Sequence, residues 1–129
     1  MTILGVSNSF TGPSLSLEYV EDRCFGYSGV VTLTNSFGDY LNFTTGSKVI
    51  VAELLVTGDW DTLGANNIET TVAFNGSTIL QDDSSAELTP YVWPITLVIP
   101  AYTEVQIQGR IQSGTAEWTC ILTGKVLGD

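Results

Sequence analysis

Apolar and polar residues alternate with a period of two along most of the chain. Clusters of Gly, Asn, Asp, Ser and Pro break the alternation about every 8–12 residues, the spacing expected of a sandwich or barrel. No segment sustains an apolar period of about 3.6, so almost no helix is expected. The pattern predicts strands near Ser14–Val20, Ser28–Thr34, Tyr40–Thr44, Lys48–Thr57, Ile68–Phe74, Ser77–Gln81, Val92–Ile99, Glu104–Ile111 and Thr115–Val126. The expected fold is all-β, a single antiparallel β-sandwich of jelly-roll type with about eight strands over residues 14–129. Residues 1–13 are polar and marked by Gly12 and Pro13, and read as an extended N-terminal arm.

Two hairpins can be written in register. Asn75-Gly76 is a strong turn signal, because both residues tolerate positive φ. A two-residue loop there pairs Phe74 with Ser77, Val72 with Ile79 and Thr70 with Gln81. A second turn at Ser113-Gly114 pairs Ile111 with Ala116, Gly109 with Trp118, Ile107 with Cys120 and Val105 with Leu122. These residues fall on one face, with Trp118 lying over Gly109. The opposite face sets Arg110 against Glu117 and Gln108 against Thr119.

Two strands are apolar on both faces. In Lys48–Thr57, Ile50, Ala52, Leu54 and Val56 form one face, and Val49, Val51 and Leu55, with Glu53, form the other. In Val92–Ile99, Val92 and Val98 oppose Trp93, Ile95, Leu97 and Ile99. A solvated face of an antiparallel strand is normally polar. The second faces therefore call for cover by a loop or by another subunit. Val49, Val51, Leu55, Val92 and Val98 are the candidate oligomer-interface residues.

Charge narrows the possible partners. The 129 residues hold 4 Lys+Arg against 14 Asp+Glu, a formal net charge of −10, yet only 14% are charged and 43% are hydrophobic. Arg23, Lys48, Arg110 and Lys125 are scattered along the sequence, which argues against nucleic acid and anionic membranes as partners. No stretch approaches the roughly 18 apolar residues of a membrane helix. The N-terminus lacks the pattern of a secretory signal, so cytosolic synthesis is the expectation. In that setting Cys24 and Cys120 read as small buried hydrophobes rather than a disulfide.

The candidate chemistry is sparse. The chain has no histidine, which removes Ser-His-Asp triads, Cys-His pairs and His-ligated metals. The segment Asp59–Glu69 has acids at the first and third positions of a calcium loop. Leu63 stands at the fifth position and Thr70 where an acid is required, so a solvated loop is expected. Glu53, Glu104 and Glu117 are the carboxylates a β-sandwich glycosidase would need, but Glu117 is matched by Arg110 and Glu104 sits on a polar face opposite Thr123. Trp60, Tyr91, Trp93 and Tyr102 lie in or beside loops and could stack on sugar rings, as in a lectin. No enzyme and no cofactor are expected.

The C-terminal half carries a recognisable grammar. Residues Pro94–Ile107 read PITLVIPAYTEVQI, a strand, a proline turn and a strand, and Trp118–Val126 read WTCILTGKV. Together with Val72–Ile79 (VAFNGSTI), this resembles small virion structural proteins of tailed bacteriophages, over roughly residues 48–127. The resemblance implies a jelly-roll-like sandwich that decorates a capsid (a cement protein), or a tail or fibre component. It implies no catalytic residue. It further implies a homo-oligomer, a trimer, docked on the major capsid protein at the virion exterior.

Overall fold

The computed structural model describes residues 17–58, 66–84 and 94–128. Among these the chain forms ten strands and no helix: β1 (Glu18–Val20), β2 (Arg23–Tyr27), β3 (Val31–Leu33), β4 (Gly38–Thr44), β5 (Ile50–Gly58), β6 (Ile68–Phe74), β7 (Ser77–Ser84), β8 (Ile95–Ile99), β9 (Glu104–Ile111) and β10 (Ala116–Val126). They make two antiparallel sheets, so the expected β-sandwich is present. The larger sheet runs β1-β2-β10-β5-β8, with β3 also pairing β10; the smaller runs β4-β9-β6-β7. The expected arm over residues 1–13 lies outside the described residues.

The period-two alternation sets the core. Ile50, Ala52, Leu54 and Val56 of β5 and Trp118, Cys120 and Leu122 of β10 are buried. They meet Val105, Ile107 and Ile111 of β9, Ile68 and Val72 of β6, and Tyr40, Leu41 and Phe43 of β4. Cys24 and Cys120 are both buried and free. Burial pushes the Cys24 thiol up to about 11 and raises that of Cys120 further.

The Asn75-Gly76 turn forms with both residues at positive φ and Phe74 opposite Ser77. Its register differs further along. A bulge lies between Val72 and Ala73, so Val72 opposes Leu80, not Ile79, and Thr70 opposes Asp82, not Gln81. The bulge leaves Ile79 in solvent and brings Leu80 against the core.

The Ser113-Gly114 hairpin does not form. β9 pairs with β4 and β6, while β10 pairs with β2, β3 and β5 in the other sheet. The apolar residues predicted to share one face do all point into the core, but from opposite sides. Alternation fixes which side of a strand is buried, not which strand lies beside it. The link leaving β9 is held across the sandwich edge instead: Ser113 N–H donates to Asn66 Oδ1 (3.2 Å), Gln112 N–H to Asn67 O (3.0 Å) and Ile111 N–H to Thr34 O (2.8 Å).

Three contacts expected of that hairpin change with it. Trp118 covers Gly58, its cross-strand partner on β5, and a Cβ there would lie 2.3 Å from the ring. Gly109 is covered by Tyr40, 2.7 Å from a Cβ at that position. Arg110 pairs with Glu69 (2.5 Å) and lies over the Phe37 ring at 4.5 Å, while Glu117 opposes Thr32. Glu104 likewise opposes Thr44 of β4, not Thr123.

Candidate functional site: the outer face of the larger sheet

The two outer faces of the sandwich differ sharply. On the smaller sheet polar side chains join neighbouring strands. Asp39 Oδ1 accepts from Gln106 Nε2 (3.0 Å) and from Gln108 Nε2 (2.9 Å). Glu69 binds Arg110 through one oxygen and Gln81 through the other. Asp83 opposes Glu69, and its carboxyl is raised by burial and then by the charges of Glu69 and Asp82.

Among the described residues the larger sheet carries no such network. Its register orders the outward residues in rows across the strands. One row holds Tyr27, Ile121 and Leu55. The next holds Glu18, Phe25, Thr123, Glu53 and Thr96. A third holds Val20, Arg23, Lys125, Val51 and Val98. The register continues to a fourth, where Leu127 N–H donates to Val49 O at 2.9 Å. Val20 and Val98 are about 60% exposed (60% and 61%), Tyr27 45%, Leu127 44% and Phe25 41%. A shallow depression of about 650 Å³ runs over the central rows.

Four of the five sequence-predicted interface residues therefore share this face. Val51 and Val98 are direct cross-strand partners, Leu55 stands two rows from Val51, and half-buried Val49 ends the β5 column. Val92 lies outside the described residues. Sequence reasoning missed Val20, Phe25, Tyr27 and Ile121. Phe25 and Tyr27 were legible as alternation: with Arg23 they point out while Cys24 and Gly26 point in. Ile121 was hidden by the mistaken pairing of β9 with β10.

Two of the chain's four bases stand here. Arg23 and Lys125 are direct cross-strand neighbours, although like charges so placed repel. Neither has an ion-pair partner among the described residues. Glu18 and Glu53 occupy the adjacent row.

The other candidate sites fare differently. Asp59–Ala65, Tyr91, Trp93 and Trp60 lie outside the described residues, and Glu69, at the end of the calcium-like segment, is engaged by Arg110 and Gln81. Tyr102 is exposed on the Pro100 turn and has a positive φ. Glu53, Glu104 and Glu117 do not converge: Glu53 opposes Thr96 and Thr123 on one sheet, Glu104 belongs to the other, and Glu117 sits beside β3. Among the described residues no group of three or more Asp, Glu or Cys is placed to hold a metal. No protein-family model, curated protein or solved structure matches the chain.

Proposed function

We propose that this protein is a non-enzymatic structural subunit of a bacteriophage virion, a homo-oligomer that decorates the capsid exterior and reinforces it through contacts with the major capsid protein. The observation that carries the reading is the outer face of the larger sheet. Its exposed apolar residues stand together and lack the polar ladder that finishes the other sheet, the mark of a surface meant for association. The proline grammar supports the phage assignment. Pro100 turns between β8 and β9, with its carbonyl accepting from Thr45 Oγ1 at 2.8 Å, and WTCILTGKV is the central strand β10. The strand orders also support a jelly roll: β2-β10-β5-β8 of the six-stranded sheet faces β4-β9-β6-β7, two sets of four whose consecutive strands mostly alternate between layers. An acidic exterior suits a position outside the shell rather than against packaged DNA. The test is co-sedimentation with capsids lacking the protein, followed by a heat challenge. Binding with increased capsid survival is expected. Binding to isolated tails alone assigns the protein to the tail, and binding to no particle overturns the virion reading.

A further inference from the structure

We infer that the outer face of the larger sheet docks a second copy of this chain, face to face about a two-fold axis that crosses the strands between the Phe25 row and the Arg23 row. The inference rests on this face being an association surface and not on the capsid assignment.

Charge complementarity selects the occupant and its orientation. The chain carries −10 overall, so two copies repel across most of their surfaces. Here Arg23 and Lys125 balance Glu18 and Glu53 in the adjoining row. Turning a second copy about the stated axis lays each basic row over the other's acidic row. Arg23 then stands one strand spacing, about 4.8 Å laterally, from Glu18 of the partner subunit. Lys125 stands the same distance from Glu53 of the partner subunit, and Arg23 lies over Phe25 of the partner subunit.

The outer rows match too. The row of Tyr27, Ile121 and Leu55 falls on Val49 and Leu127 of the second copy, apolar on apolar at both ends. The perpendicular two-fold, parallel to the strands, would stack base on base and acid on acid. The axis runs between the charged rows, so sheet twist displaces them least, and the polar pairs Thr119–Thr57 and Glu117–Thr32 of the same face lie beyond the Tyr27 row.

The contact is isologous and closes as a dimer, where the phage resemblance implies a trimer. About fifteen side chains a side contribute, fewer than the roughly 20–30 of a standard interface, so association is weak and sensitive to salt.

Sedimentation equilibrium of the full chain up to high micromolar concentration tests this. The wild type is expected to pass from monomer to dimer mass, and less readily in high salt. Lys125→Glu and Glu53→Lys each set like charges together and should weaken the dimer by at least ~10-fold. The double variant restores both contacts and should recover most of the affinity. Circular dichroism and thermal melting verify that each variant is folded, and these exposed positions tolerate the changes. A monomer at every concentration, a trimer, or a double variant no tighter than the singles overturns the inference. A monomer that still binds capsids overturns the dimer and leaves the capsid assignment standing, and a dimer that binds no particle does the reverse.

Discussion

The two sheets are alike on the inside and unlike on the outside. Each inner face uses the same device: an aromatic ring lies over a glycine on the adjacent strand of its own sheet, Trp118 over Gly58 in the larger and Tyr40 over Gly109 in the smaller. Outside, the smaller sheet joins its strands with Asp39, Gln106, Gln108, Glu69 and Arg110, whereas the larger leaves valines and aromatics in solvent. Inner chemistry is dictated by the need to fill one shared core. Outer chemistry is free of that constraint, and so it records what each surface meets. The polar network joins strands within one chain; the apolar rows make no such link among the described residues.

The strongest way to test the inner likeness is to fill the glycines. Gly58→Ala pushes a Cβ into the Trp118 ring and Gly109→Ala one into Tyr40. Each should cost about 1–3 kcal/mol in urea unfolding, with Gly58 the more severe because its contact is closer. An unchanged midpoint for either would show that the two sheets pack by different rules. The outer contrast is tested by Asp39→Ala, which leaves the Gln106 and Gln108 amides without their acceptor and should cost about 1 kcal/mol. Val98→Thr on the opposite outer face should stay within about 0.5 kcal/mol for the monomer. Equal losses would erase the distinction.

Alkali acts on groups buried in both sheets. Burial raises Cys24 from 9.0 to about 11 and raises Cys120 and Tyr40 as well. These groups hold their protons more tightly folded than unfolded, so their contribution is complete below pH 9. It is lost as pH rises from 9 towards 11. Unfolding midpoints should therefore be flat from pH 7 to about 8.5 and then fall. Midpoints that rose above pH 9 would contradict the buried thiols.

What the sequence made legible was sidedness. The inward sets of β5, β9 and β10 follow directly from alternation, as does the Asn75-Gly76 turn. Adjacency was not legible. Ile111 and Ala116 are close enough in sequence to suggest a hairpin, and a crossing between sheets satisfies the same alternation. The contacts that decide between them, Asn66 to Ser113 and Glu69 to Arg110, join residues more than 40 positions apart. β2 escaped notice because its inward residues, Cys24 and Gly26, are small. Gly26 has room for little else: a Cβ there would sit 3.0 Å from Leu17. The face proposed for association was half visible for the same reason. Val51, Leu55 and Val98 stood out on two-faced strands, but Arg23 meets Lys125 only through pairing across a hundred residues of chain.

The central place of β10 has a consequence for the order in which the molecule can be built. During synthesis every strand of the smaller sheet leaves the ribosome before β10 does. That sheet can close while β2 and β5, which β10 joins, are still unbridged. Until β10 is made, nothing joins the β1-β2 pair to the β5-β8 pair, and the apolar inner face of the smaller sheet has only partial cover. Such intermediates are prone to aggregate, and non-local pairing is slow to relieve them. The ribosome-bound chain is therefore most in need of a chaperone just before β10 appears.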